Sequence, residues 1–446
     1  MISVNKQLES CACTLRSRRR GTASEMKAVR TVALGLALMM NRPADSASPP
    51  AREPAQKAVW GSYSAADGRL LIVARWPDDP NKPALYDSVD DEFHHLDLDG
   101  DRACTEACSA RLHFHRVAGS VTGVTVVRDG VATTARKDPL ALSRMSFGSR
   151  GNRLDGRIWA PTTPGPHPAV LLMGGTGRNL RDDFRIYPYV FVRAGYVVYA
   201  FDKAGAGASG GDRDREEEGI VTLATDSEAA LRALRRLPMV DSRRVGVLGI
   251  SHGAWVSIET ARMDPKVAFV AAIVGGGVPL WRATLFEAHN TLVRKGYSPE
   301  EVESGDELMA SVFGALQDGE AEKVPALLKS SASQRWFADT PLAPFARLPD
   351  DVIVSVARVR WANELSYDPT QALRRLKVPI LAIAGDKDAF VPGEQNLAAI
   401  RAAMGRLATT QLLPDANHWQ AISDGRDFTY SPLLRPTLEK WLLELR

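Results

Sequence analysis

Ser251 sits in Gly249-Ile250-Ser251-His252-Gly253, directly after the apolar run Val245 to Leu248 and before residues able to start a helix. A sharp strand-to-helix turn of this spelling lifts one serine clear of a sheet edge and leaves its hydroxyl free to attack. The two glycines are explained by crowding, because a strained serine backbone tolerates only small neighbours two positions away. A serine hydroxyl is a poor nucleophile until a base takes its proton. Of the eight histidines, His418 alone follows residue 289, and it lies in Pro414-Asp415-Ala416-Asn417-His418-Trp419 after the strand-like Thr409 to Leu413. The base in turn needs a carboxylate to fix its tautomer and stabilise the imidazolium. Gly385-Asp386-Lys387-Asp388 follows another strand and offers two; Asp388 is the expected partner and Asp386 the turn residue.

Acyl transfer also requires backbone N–H groups aimed at the developing oxyanion. One is expected from His252, the residue after the nucleophile, at the positive end of the following helix. The other is expected from Thr176, in the loop Gly174-Gly175-Thr176-Gly177 that ends the apolar run Ala169 to Met173. This chemistry calls for neither a metal nor an organic cofactor.

These loops need a rigid frame, and the pattern around them supplies one. Ala169 to Met173, Tyr196 to Phe201, Val245 to Ile250, Val267 to Val274 and Val378 to Ala384 are near-continuous apolar runs of strand length. Such runs suit a parallel sheet covered on both faces. Helical stretches alternate with them, and Leu223, Ala230, Leu234 and Leu237 mark one buried helix face. Repeated strand–helix–strand units imply right-handed crossovers and a doubly wound α/β sheet, with its site beyond the C-terminal strand ends. Residues 278 to about 370 break the rhythm. They read as a helical insertion, with a capping box over Ser298-Pro299-Glu300-Glu301 and Gly296 ending the preceding helix. Trp281, Phe286, Trp336, Phe337, Phe345 and Trp361 make it aromatic, as a separate lobe core or as a lid lining the substrate site.

The N-terminal third reads differently. Residues 55–148 form a small β-rich unit with turns at Asp67-Gly68 and Asp129-Gly130, and the catalytic domain is expected over 149–446. His94, His95, His113 and His115, with Asp97-Leu98-Asp99-Gly100-Asp101, invite a metal assignment. The loop has Arg102 and Cys108 where a calcium loop needs glycine and glutamate, so ordinary strand and turn residues are expected. Residues 1–54 form a leader and a Pro-rich linker. Lys27 and Arg30 precede the apolar run Thr31 to Met40 and then Asp45-Ser46-Ala47-Ser48, the form of a secretory signal peptide too short to span a bilayer. A secreted or periplasmic location is expected. Cys11 and Cys13 would leave with the leader; Cys104 and Cys108 remain as a disulfide or as two free thiols.

At 446 residues, with 45% apolar and 24% charged residues, the chain is long enough for two or three domains and a large core. Its formal charge of +3 is set by the leader, where residues 1–46 carry eight Lys/Arg and three acids. The remainder is slightly acidic, which argues against nucleic acid as a partner. A small-molecule ester is the expected one, and oligomeric state is not legible.

The chain resembles α/β-hydrolases, specifically bacterial serine esterases of the dienelactone-hydrolase and prolyl-oligopeptidase-like branch. The resemblance rests on Gly249 to Gly253, Gly385 to Pro392, Asp415 to His418, and Phe201-Asp202-Lys203-Ala204-Gly205-Ala206-Gly207-Ala208-Ser209, and it covers about residues 150–446. It implies the order Ser251, Asp388, His418 and an N-terminal β unit ahead of the hydrolase. Two positions depart from the pattern: Gly174-Gly175 stands where the family has His-Gly, and Ala204 replaces an arginine. The expected activity is carboxylic ester hydrolysis through an acyl-enzyme. A peptidase or thioester hydrolase on the same machinery is the nearest alternative, and a non-catalytic binding protein the alternative from another class.

Overall fold

The computed structural model describes residues 58–75, 82–211, 219–361, 365–423 and 428–445. The leader, the Pro-rich linker, Cys11 and Cys13 lie outside the described residues. Among those described, the strands form two sheets of nine and eight members.

The eight-stranded sheet carries the loops of Ser251, Asp388 and His418. Its order runs Ala408–Leu413, Ile380–Gly385, Val270–Ile273, Val240–Ile250, His167–Met173, Val197–Phe201, Asn152–Ala160 and Ala141–Ser149. The first six are parallel; the last two join antiparallel. Successive side chains on a strand point to opposite faces, and here each face meets its own helices. Ala169, Leu171 and Met173 pack with helices Ile220–Leu234, His252–Met263 and Gly393–Met404. Val170 and Leu172 pack instead with Tyr187–Arg193 and Leu434–Glu444. Strands buried on both faces need the continuous apolar runs seen in the sequence.

The expected domain boundary shifts. Ala141–Ser149 pairs residue for residue with Asn152–Ala160, so it belongs to the eight-stranded sheet and the β unit ends before it. The strand lacks a buried apolar run, since Ala141, Leu142, Ser143 and Arg144 are exposed at the sheet edge. That exposure is why its sequence reads like the preceding β unit.

The N-terminal sheet closes on itself, because Glu92–Asp99 pairs with both Pro83–Asp87 and Arg102–Thr105. Tyr63, Leu71, Val73, Leu85, Leu112 and Phe114 fill its interior. The alternating partners Leu70, Ile72, Tyr86 and Phe93 face outward, into the same cluster as Phe184, Tyr187 and Trp441 of the α/β body. Phe428–Thr429, from the chain's end, adds a strand against Phe93 and Glu92. Barrel and body are thus joined by a shared apolar interface and by strand pairing.

The insertion is helical, with Leu280–Arg294, Pro299–Gln317, Val324–Ser331 and Asp350–Val356 around a separate core. The expected capping box is present: Glu301 N–H donates to Ser298 Oγ (3.3 Å), and Ser298 N–H donates to Glu301 Oε2 (2.9 Å). Gly296, at φ 75°, follows the first of these helices. Trp336, Phe337 and Phe345 belong to the lobe's own core. No helix of the described residues is long and apolar enough to cross a membrane.

Candidate active site

Five loops at the C-terminal ends of neighbouring parallel strands build the site. Ser251 follows Val240–Ile250 and caps helix His252–Met263 with φ 55° and ψ −126°, a backbone state that L-residues rarely hold. The structure around it enforces that state. Ser251 N–H donates to Ile273 O at 2.9 Å, and Ser251 O accepts from Ala254 N–H at 2.8 Å. A Cβ on Gly249 would lie 1.8 Å from Gly253 O, and one on Gly253 would lie 2.4 Å from Met173 O. Both glycines are therefore required by backbone crowding.

His418 follows the edge strand Ala408–Leu413 and Asp388 follows Ile380–Gly385. The imidazole bridges the other two side chains, with Nε2 2.9 Å from Ser251 Oγ and Nδ1 2.7 Å from Asp388 Oδ2. Asp388 is fully buried, and its Oδ1 accepts the N–H groups of Phe390 (2.8 Å) and Val391 (2.9 Å). Asp386, two residues earlier, is exposed at the turn. Two contacts lock the acid and base loops together. Lys387 N–H donates to Ala416 O at 3.0 Å, and a Cβ on Gly385 would lie 2.0 Å from that same oxygen. Gln420 Nε2 donates to His418 O at 2.6 Å, and Tyr187 in turn holds the Gln420 amide at 3.0 Å. Phe390 and Trp419 flank the imidazole ring.

Thr176 and His252, the expected oxyanion donors, both line the cavity that opens on Ser251. The Thr176 N–H has no hydrogen-bond acceptor among the described residues. Its loop is tied from behind. Lys203 Nζ donates to Gly175 O at 2.5 Å, and Lys203 N–H donates to Asn179 O at 3.3 Å. Beneath them Arg181 spans two buried carboxylates, Asp155 and Asp202, and Asp202 also accepts the Ala208 N–H. Burial pushes the Asp155 carboxyl up, but hydrogen bonds from Arg181 and Ser146 outweigh it and hold Asp155 below its ordinary value. Ala204, where the family pattern has arginine, packs against the core.

The cavity has a volume of about 120 Å³. Trp255, Leu280, Met309, Phe313, Trp361 and Phe390 are among its apolar lining residues. Of the six insertion aromatics singled out in the sequence, only Trp361 is among the lining residues. Phe313 was missed because it repeats at helix spacing among core residues and carries no local mark. Glu287, on helix Leu280–Arg294, was missed for the same reason. It lines the cavity and makes no hydrogen bond or ion pair among the described residues. Asp339 also lines the cavity but is held by Lys295 and Tyr297. Burial raises the Glu287 carboxyl to about 7, against the pull of nearby His418 and Arg294 and with the help of Asp388.

Most of the features that invited a metal assignment have other partners. His113 and His115 stack edge to face, with His115 Nε2 2.8 Å from Thr125 Oγ1, while Asp101 pairs with Arg116. Asp90, Glu92 and His94 do converge, a grouping not read from the sequence. The Arg128 guanidinium already sits on Asp90 and His94 and compensates that charge. Cys104 and Cys108 are free thiols, and the hydrogen bond that the Cys104 thiol donates to Cys108 holds its proton and raises it above its ordinary value.

Residues 150–419 match the family model described as X-Pro dipeptidyl-peptidase (S15 family). Esterase FrsA of Shigella boydii is 27% identical over 141 residues, which cover 31% of this chain and 33% of that protein. The 2,6-dihydropseudooxynicotine hydrolase of Paenarthrobacter nicotinovorans is 31% identical over 123 residues, 26% of this chain and 30% of that one. The chain therefore spans about a third of the length of these curated relatives. Among solved structures, a proline iminopeptidase from Mycobacterium smegmatis aligns over 68% of this chain and 98% of its own, at 15% identity and a TM-score of 0.45.

Proposed function

Because the chain belongs to the X-Pro dipeptidyl-peptidase (S15) family, we propose that it is a serine hydrolase cleaving a carboxylic ester of a small molecule. The observation that carries this reading is the unbroken hydrogen-bonded line Asp388–His418–Ser251, with Ser251 opening on an apolar cavity. His418 Nε2 takes the Ser251 proton as Oγ attacks the acyl carbon. The tetrahedral oxyanion accepts hydrogen bonds from the Thr176 and His252 N–H groups, donors fixed before the charge appears. His418 then protonates the departing alkoxide, and the acyl group remains on Oγ. A water deprotonated by the same imidazole repeats the sequence and releases the acid. Asp388 holds the imidazole with Nε2 toward serine and stabilises its charged form.

The cavity supports a small acyl or alcohol portion, with hydrophobic contacts supplying most of the binding. Ser251→Ala should abolish hydrolysis of short p-nitrophenyl esters while leaving the unfolding transition in place; retained activity would put the nucleophile elsewhere. Failure of a fluorophosphonate to label Ser251 would favour the non-catalytic binding protein instead.

Amide cleavage is the second reading, favoured by Glu287, whose ionised carboxylate would accept a substrate ammonium inside the cavity. Rates on matched ester, amide and thioester substrates separate these. Export is also proposed, from the Lys27 to Ser48 pattern. Mass spectrometry of the mature N-terminus in the extracellular or periplasmic fraction tests it.

A further inference from the structure

We propose that Lys203 is the positioning residue for the oxyanion donor, acting through the Gly175–Thr176 peptide. The proposal rests on the serine hydrolase reading and adds to it a residue outside the triad. A peptide unit is planar, and in the trans form its C=O and N–H point in opposite directions. The cis bond found among the described residues is Gly165–Pro166, so Gly175–Thr176 is trans. The Lys203 ammonium holds the Gly175 carbonyl at 2.5 Å. The Thr176 N–H, at the other end of that unit, is therefore turned away from Lys203 and has no acceptor among the described residues.

The same loop runs close beside the nucleophile. A Cβ on Gly175 would lie 3.3 Å from Ser251 Cβ and 3.6 Å from its Oγ, and Thr176 lines the cavity with Ser251. Gly175 and Gly177, on either side of Thr176, bring no side chain of their own to hold one peptide orientation, and glycine rotates more freely than any other residue. A donor free to rotate would lose the preorganisation on which oxyanion stabilisation depends. The lysine supplies that restraint from a rigid base. Asp202, its neighbour, is bound by the Arg181 guanidinium and by the Arg181 N–H at 2.8 Å. Ser209 Oγ donates to Asp202 O at 2.6 Å, and a Cβ on Gly207 would collide with Asp202 Oδ2 at 2.2 Å. The turn after Val197–Phe201 thus serves as a backing layer for the oxyanion loop.

The test compares wild type, Lys203→Met and Lys203→Arg in the full chain, with rates expressed per Ser251 labelled by a fluorophosphonate. Lys203→Met should lower kcat on a p-nitrophenyl ester about ten- to a hundredfold, somewhat less than deletion of an oxyanion donor. KM should change less than twofold, because the ground-state carbonyl needs the donor little. Affinity for a matched trifluoromethyl ketone, which binds as a tetrahedral anion, should fall by the same factor as kcat. Lys203→Arg, which keeps a cationic donor, should recover most of both. A Met variant with wild-type kcat per labelled serine would overturn the proposal, as would a kcat loss without loss of ketone affinity. A wild-type protein that neither labels nor hydrolyses would overturn the hydrolase reading itself, so the two failures are distinguishable.

Discussion

Replacing Glu287 by glutamine isolates the cost of ionising a carboxyl inside the substrate cavity. Burial raises its pKa from the ordinary 4.5 to about 7. Between those values the native protein keeps a proton that the unfolded chain has released, so rising pH favours the unfolded state. Glutamine mimics the protonated carboxyl and carries no such penalty. Linkage with these two pKa values makes the stability gain for Glu287→Gln well under about 1 kcal/mol at pH 4. The gain grows to about 2 kcal/mol at pH 6 and about 3 kcal/mol at pH 8, where it levels off. The assay is urea or guanidinium unfolding of both proteins from pH 4 to 8, with the midpoint difference plotted against pH. A difference that is flat across this range, or that shrinks as pH rises, would refute a raised pKa for this half-buried carboxyl.

Two further substitutions separate the machinery from its frame. Asp388→Asn should leave the fold intact, because Oδ1 still accepts from Phe390 and Val391, yet lower kcat by about a thousand- to ten-thousandfold through the wrong imidazole tautomer; steady-state kinetics reads it. Gly249→Ala would drive a Cβ to 1.8 Å from a backbone oxygen, so fluorophosphonate labelling and the thermal midpoint should fall together. Gly314→Ala is its control: nothing lies within 4 Å of the new methyl in helix Pro299–Gln317, and the change should stabilise by about 1 kcal/mol.

The parts of the site that the sequence by itself determined are those fixed by short-range chemistry. Gly249 and Gly253 are dictated by a crowded turn, and the continuous apolar runs by burial on both sheet faces. Ser251 and Asp388 could be nominated because each follows such a run, and His418 because it alone of the histidines follows residue 289, behind the strand-like Thr409 to Leu413; beyond the strand ends a parallel sheet leaves room for a site. The Ser298 capping box was likewise legible, being closed within four residues.

Only the tertiary structure decided what depends on distant segments meeting. The Asp388 carboxylate reaches the imidazole because the Gly385 and Ala416 loops interlock across two strands, a contact between segments 31 residues apart. Glu287 has no local signature; its pKa is raised by desolvation in the cavity it lines together with Ser251, from which it stands 36 residues away in the chain. Lys203 gains a role only because the Gly175 carbonyl comes within reach from the neighbouring strand's loop. Ala141–Ser149 changes sheets for a similar reason, since hydrogen bonding to Asn152–Ala160 outweighs a composition that matches the barrel. Propensity and spacing act over a few residues, whereas desolvation and side-chain convergence are properties of the assembled chain.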